Sequence, residues 1–565
     1  MPPSLFFKVT HGVKVDPSAC RSPSVLQYFK TAIPSKVPRN DPKQSRFDDA
    51  IAKMVAVDGL PISVTSGLGF CYLIQVIDPT LTVKSRDTIR RRIFKDAATY
   101  RNNIKEMNIA SMPPKRLHGI TDIWTTKSQQ SVIGVRLQFI TNDFRLQNKT
   151  VAFEEFPDDH TGVNIRKKIA EIFQKFEIQS QQFGVIVSDN ARNMINAFNS
   201  NILFDEKWEQ VPGIAQNSET TDSEYEDDDD GDEEEIIEIN STEILTIGTT
   251  RWNSLFTALE RIVDDEVFPH LADLLLEYNT QNSASSSRNR SNKQKNARRR
   301  CLKIPTEIDR NKIKELLKIL GPFKDITDIF QSNEITSSLV IPSLLDLQSK
   351  LLRISCVYYH SFRDSLLKNL EAENRFKKVV TAETFVVPNM LDPRYKSLMF
   401  GPQSSETYFQ TPSKEEARDT VDEIVNKMQM ENLDSSHIHN TSNSDCNEAF
   451  DFLIQEDEEH QKSELQLYLE EPVLDIILKR KATTIDVLNY WRTNQSRFPI
   501  LEMAKIYLAI PASSGDIERL FSIAGFLKRQ HRNRLDIEFI EDLLISRECA
   551  LPVLKKNQVR MILII

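Results

Sequence analysis

A mixed α/β core joined to a long all-helical region is the fold class this sequence predicts, and two observations predict it. Between residues 116 and 198, three strand-like runs precede alternating helix and strand patterns, and from Arg251 to about Tyr490 nearly every apolar pattern has helical period. Glycine agrees with a helix-rich chain, at 15 of 565 residues against a usual ~7%. The length predicts about three or four domains at roughly 150 residues each. Apolar residues at 40% and charged residues at 27% exclude collagen-like, linker-like and wholly disordered chains. No uncharged apolar stretch approaches the ~18–20 residues of a membrane span, so no membrane partner is expected. At the start, LFF runs at once into Lys8 and His11, which leaves no apolar core for a secretory signal. Six cysteines without pairing rhythm read as reduced thiols.

Residues 1–45 hold seven prolines and no sustained period, and read as a flexible leader. A helical N-terminal domain is expected over 46–110. Phe47, Ile51 and Met54 fall at helical spacing, a second helix follows Ser85, and Pro61 with Gly67–Gly69 reads as the turn between them. Only His11 and Cys20 could serve a zinc finger before residue 70, so no structural zinc is expected.

Over 111–200, RLHGITDIWTT is a strand, SVIGVRLQFI alternates Ile133, Val135, Leu137 and Phe139 on one face, and KTVAFEEF is a third strand. Ile165, Ile169, Ile172, Phe173 and Phe176 then line one helical face, FGVIVSD is a buried strand and ARNMINAF a helix. The order β-β-β-α-β-α is characteristic of a ribonuclease H-like core and leaves other mixed folds open. Asp122 in the first strand and Asp189 past the fourth are acids beside apolar residues. A carboxylate near a dry interior is costly unless paired or metal-bound. Two that meet on adjacent strands suggest a divalent-metal site, and two-metal phosphoryl chemistry needs a third acid. The other reading is that Asp122 caps a turn and Asp189 N-caps a helix.

Residues 201–250 read as an acidic disordered loop, with 13 acids and no base from Glu219 to Glu238. Without those charges the net −9 becomes +4. A second biased run, Ser285 to Lys303, carries eight Lys and Arg. It suits nuclear import or phosphate contact, or simply a solvated loop. Residues 251–490 are helical, interrupted by loops such as the one holding His437, His439 and Cys446. Over 491–550, Ser513-x-x-Asp516 reads as a capping box for a helix from about Ser514 to Phe526, and Ile537 to Arg547 is a further helix. The apolar stripe of Leu520, Phe521, Ile540, Leu543 and Leu544 predicts burial on the core or in a dimer contact. Residues 551–565 are a tail.

Five collinear motifs carry a resemblance: FDDAIAKMV…PISV, TDIWT…HTGVNI…VSDNARNM, TTRWNS, LDPRYKSL and PASSGDIERLFSIAG…RNRL. Across about residues 46–550 they resemble transposases of the hAT superfamily, and most closely the BED-type zinc-finger proteins descended from them. The resemblance implies a ribonuclease H-like core split by an all-helical insertion, here 251–490, and a C-terminal hAT dimerisation region. It places the catalytic and metal-binding acids at Asp122, Asp189 and Glu518, with Mg²⁺ or Mn²⁺ as cofactor. It puts DNA contact at Arg251 and Trp252, the Trp holding a flipped base by stacking, the other reading of Trp252 being a helix-core side chain. DNA and a second copy of the chain are the implied partners, and the nucleus the implied location. The chain departs from the pattern in three places. No Cys or His occurs between Ala191 and Thr250, Ile517 stands where a Ser usually precedes the Glu, and the BED finger is not found. The expected function is therefore that of a domesticated or decayed relative that dimerises and binds DNA in a transcription-regulatory role. The alternative is an active DDE-type cut-and-paste transposase using Mg²⁺.

Overall fold

The computed structural model describes residues 35–107, 112–126, 129–189, 191–199, 209–212, 252–284, 302–371, 376–401, 410–436, 463–498, 501–528 and 535–562. The leader through residue 34, most of the acidic loop, the basic run through Cys301, Arg251 and the His437–Cys446 loop lie outside them. The chain divides into two compact units, one joining the residues up to Tyr100 with those from Asp542 onward, the other spanning Arg101–Glu541.

In the first unit, α1 (Pro42–Asp58) starts where the Asp41 carboxylate accepts the Lys43 N–H at 2.8 Å and stops at Gly59, whose φ of 62° suits a residue without Cβ. Its buried stripe of Ile51, Ala52, Val55 and Ala56 is matched by Ile89, Ile93 and Ala97 of α3 (Arg86–Glu106). Gln44 clasps the backbone of Thr82 with two hydrogen bonds, at 2.9 and 3.0 Å. The C-terminal part closes this unit: Ser546 Oγ donates to the Ile93 carbonyl at 3.2 Å, and Tyr100 Oη to Glu548 at 2.7 Å. The expected turn at Gly67–Gly69 is instead the start of a helix, α2 (Leu68–Ile77), with Gly67 as its N-cap. Its sequence, LGFCYLIQVI, is apolar on nearly every side, so it shows no period to read. None of its residues is buried.

The second unit is built on a five-stranded sheet of β1 (Leu117–Thr125), β2 (Ser131–Ile140), β3 (Leu146–Glu155), β4 (Phe183–Ser188) and β5 (Glu209–Pro212), in the order β3-β2-β1-β4-β5. The first three form an antiparallel meander, and β4 and β5 run parallel to β1. The helix α4 (Gly162–Lys175), capped by Thr161, makes the crossover to β4, and α5 (Arg192–Asn199) packs against it. Residues 209–212, read from sequence as part of the acidic loop, form β5 because β4 offers them an open edge to pair with.

Among the described residues fourteen further α-helices follow: α6 (Trp252–Ile262), α7 (Val267–Ala284), α8 (Glu307–Phe330), α9 (Val340–Arg353), α10 (His360–Glu371), α11 (Lys378–Thr381), α12 (Glu383–Met390), α13 (Lys414–Ser436), α14 (Glu464–Glu470), α15 (Leu474–Leu478), α16 (Thr484–Thr493), α17 (Leu501–Tyr507), α18 (Gly515–Leu527) and α19 (Ile537–Ile562). Capping boxes start α8, α14 and α16 at Thr306, Ser463 and Thr483. One apolar cluster runs from Ile319 to Ala512 and also takes in Ile140 and Phe144 beside the sheet. The LDPRYKSL motif is a buried polar joint within it. Asp392 is fully buried, accepts from Ser338 Oγ at 2.6 Å and pairs with Arg394 at 2.7 Å. Lys396 donates to the Tyr468 and Glu471 carbonyls at 2.5 and 2.8 Å, and burial pushes its ammonium down to about 8. Glu315 of α8 accepts three backbone N–H groups, from Val357, Tyr358 and Tyr359. Burial acts to raise its pKa, but these donors outweigh it and the net shift is downward. Among the described residues no helix is long and apolar enough to cross a membrane.

Candidate functional site

The candidate site is assembled on one face of the sheet by strand register. Ile120 of β1 lies opposite Val187 of β4 in a parallel pair. Asp122 and Asp189, each two residues further along, therefore reach the same end of adjacent strands. In the antiparallel pair β1–β2, Asp122 stands opposite Gly134, so both point to one face. That face carries α18. A Cβ on Gly134 would come within 2.7 Å of both Ile517 Cδ1 and Phe521 Cε1, so the bare glycine is what lets the helix settle on the strands. Ile517, the departure from the family pattern, fills that notch, and Glu518 is the next residue.

Trp124 continues the same row. Its ring lies 6.0 Å from Phe521 at an interplanar angle of 21°, and 6.3 Å from Phe153, which is itself in register with Gly134 on β3. The helix is also pinned by charge: Asp516 pairs with Arg136 of β2 at 2.7 Å and with Arg519 at 2.7 Å, and both Asp516 and Arg136 are nearly buried. This use of Asp516 corrects the expected capping box. The N-cap is Ser514 without a side-chain cap, while Ser513 Oγ accepts from the Gly515 N–H at 3.2 Å and donates to the Phe330 carbonyl. Upstream, the Gln138 Nε2 amide donates to the Ala509 carbonyl at 2.8 Å and anchors the segment before α18. His118 Nε2 lies 2.9 Å from the Ile506 carbonyl, and full burial holds the imidazole down to about 4, so this histidine is a neutral structural tie.

Electrostatics join the three acids. Burial, then the like charge of Asp189, and then that of Glu518 push the Asp122 carboxyl up to about 7, against one N–H donated by Ile123 at 2.7 Å. Burial also raises Asp189, partly offset by the Ala191 N–H. Three carboxylates are the hard oxygen donors that Mg²⁺ or Mn²⁺ prefers, and a divalent ion would relieve their repulsion. As they stand, no three His, Cys, Asp or Glu side chains among the described residues form a group that could hold a metal ion. The site thus has suitable donors and charge for such an ion without a closed ligand set.

Of the residues expected to contact DNA, Arg251 lies outside the described residues. Trp252 is half-buried at the start of α6, its ring edge-on to Phe256 with centroids 6.1 Å apart. Sequence reasoning missed Gly134, Arg136 and the packing role of Trp124. The Trp of TD-x-W-T was visible, but only the sheet register shows what it stacks on. The C-terminal stripe is buried within the chain itself: Leu520, Phe521, Ile540, Leu543 and Leu544 are each at most 7% exposed.

Comparison with known proteins gives two family matches: the hAT family C-terminal dimerisation region at residues 464–549, and the ZBED1 RNase-like domain at residues 120–207. The zinc finger BED domain-containing protein RICESLEEPER 3 of Oryza sativa subsp. japonica is 22% identical, covering 89% of this chain and 70% of its own length. The putative AC transposase of Zea mays is 21% identical over 86% of this chain and 63% of its own length. The zinc finger BED domain-containing protein DAYSLEEPER of Arabidopsis thaliana is 21% identical over 90% and 74%. The chain therefore carries a hAT dimerisation region and an RNase-like domain, and resembles BED zinc-finger proteins and AC transposases along most of its length.

Proposed function

We propose that this chain is a domesticated or decayed hAT transposase-like nuclear protein that self-associates and binds DNA in a regulatory role. In this reading the sheet with α4, α5 and α18 is a ribonuclease H-like core, and residues 251–490 are the helical insertion that splits it. The observation that carries the reading is the chain's departure from the hAT pattern around the site: no Cys or His occurs between Ala191 and Thr250, and Ile517 stands where a Ser usually precedes the Glu. The scaffold of the site is kept by packing at Gly134 and by the Asp516–Arg136 pair, neither of which requires cleavage chemistry. The dimerisation-region match supports self-association.

The second reading is an active DDE-type transposase, and the electrostatics of Asp122 favour it, because a carboxyl held near 7 by burial and by the like charges of Asp189 and Glu518 is one that a divalent ion would ionise. In that case Asp122, Asp189 and Glu518 would hold Mg²⁺ or Mn²⁺, which would supply activation of the attacking oxygen and charge stabilisation at a DNA phosphodiester. Trp124 and Phe521 would keep the helix carrying Glu518 against the strand carrying Asp122. Incubation of the full chain with supercoiled plasmid and Mg²⁺ or Mn²⁺ separates the readings. DNA binding without nicking is expected. Metal-dependent nicking that is lost in Asp122→Asn would establish the second.

A further inference from the structure

We infer that the outer face of α3, in the N-terminal unit, is a nucleic-acid-binding surface that grips phosphates with Arg86, Arg91 and Lys95 and packs Phe94 against bases. This rests on the DNA-binding reading above and names the surface that would carry it. Residues 84–95 hold six basic residues and one acid. The inward face of the helix, Ile89, Ile93 and Ala97, is fully buried, so the outward side chains are fixed by the core. Arg92 turns inward to Asp49 and to Ser45 Oγ at 2.7 Å, and belongs to the packing.

The outward residues differ. Arg86, Arg90, Arg91 and Lys95 are all exposed. The Arg86 Nε donates to Ser66 Oγ at 3.1 Å and the Arg91 Nε to the Asp87 carbonyl at 3.2 Å, neither acceptor being anionic. Phe94 is 54% exposed among these cations. Helical spacing sets it one turn from both Arg90 and Arg91. A merely solvated face gains nothing from an aromatic ring in water. A nucleic acid presents an anionic strand and flat apolar faces together, which matches this pairing of cations and a ring. Of the nearby carboxylates, both on the same helix, Asp87 is exposed, and Asp96 is half-buried near Lys53, Arg92 and Lys95. They leave the stretch strongly cationic.

The test is binding of the full chain to a labelled duplex of about 30 base pairs and to the matching single strand, read by fluorescence anisotropy from about 50 to 200 mM salt. In the variant Arg86→Ala/Arg91→Ala/Lys95→Ala the slope of log affinity against log salt should fall by about 2.7, at ~0.9 per lost phosphate contact, with at least a tenfold loss near 50 mM. Arg91→Lys with Lys95→Arg should keep the slope. Phe94→Ala should weaken the single strand about fivefold or more with the slope unchanged. Wild-type binding with an unchanged slope in the triple variant would overturn this surface and leave the DNA-binding reading standing. No wild-type binding near 50 mM salt would overturn both, and equal displacement by a polyglutamate of matched charge would overturn the nucleic-acid assignment.

Discussion

Asp122 and Gly134 face each other across the β1–β2 ladder, and the missing side chain of one makes room for the helix whose Glu518 adds its negative charge to the surroundings of the other. The candidate site is therefore as much a product of close packing as of charge.

Substituting that glycine tests the packing. A methyl at 2.7 Å from Ile517 and Phe521 must push α18 off the sheet or force both side chains to move. Gly134→Ala should cost about 1–3 kcal/mol, and Gly134→Val more, in urea-induced unfolding. An unchanged midpoint for both variants would show that the helix is not seated as described.

Asp122 gives a pH dependence of defined sign. Its carboxyl titrates near 7 in the folded chain against an ordinary value of 3.8. Between these values the folded state holds a proton that the unfolded state releases, so this residue makes stability fall as pH rises from about 4 to 7. Asp122→Asn should be the more stable protein at pH 8 by about 2–4 kcal/mol, from roughly three pKa units at 1.36 kcal/mol each less solvent screening. The difference should vanish near pH 4. Melting scans at the two pH values decide it, and a variant equally stable or weaker at pH 8 would remove the premise of a strained carboxylate cluster.

Glu315 behaves in the opposite sense. Three backbone donors hold its pKa below the ordinary carboxylate value, so it contributes stability above that value and loses it as the pH falls through the folded one. Glu315→Gln should melt lower than wild type at pH 7, with the gap closing on acidification below about pH 4. A constant gap across that range would assign the loss to shape instead of charge.

Self-association should not depend on the buried C-terminal stripe. Within the matched dimerisation region, Ile476, Ile477 and Ile485 are the more telling side chains, 67%, 48% and 70% exposed. Converting all three to Ser should raise the dimer dissociation constant at least tenfold in sedimentation runs, since each large aliphatic withdrawn from water is worth about 1.5–3 kcal/mol. A wild type that sediments only at 65.0 kDa at micromolar concentration would refute self-association outright.

Removal of Glu219–Glu238 should strengthen binding to any DNA, because its 13 acids compete with phosphates for the same cations. The gain should shrink as salt rises. Equal affinity with and without the segment at low salt would show that it does not reach the DNA-binding surface.

The strands and helices around the site were legible because each carries its own period. Ile133 to Phe139 alternate, and Ile165 to Phe176 repeat at helical spacing, and both formed the expected elements. What escaped was relational. LGFCYLIQVI hides its helix because it is apolar all round, β5 depends on an edge 21 residues back in the chain, and Ser513–Asp516 matches a capping motif whose acid is taken by Arg136 of β2. Asp122 and Asp189 could be picked out as acids beside apolar strands, and resemblance supplied Glu518. That Gly134 stands opposite Asp122 and seats the helix carrying Glu518 is a matter of register and packing, invisible until strands are paired.

The N-terminal unit is completed by residues from Asp542 onward, through Ser546 on Ile93 and Glu548 on Tyr100. Its first helices leave the ribosome long before their closing partner, and at ~5–20 residues per second the wait is on the order of 20–90 s. During that interval Ile93 and its neighbours lack their final cover and are natural clients for a holding chaperone. A premature stop codon anywhere before residue 542 would thus leave the earliest-made part of the chain unfinished, so a truncated message should yield a product that is degraded from end to end.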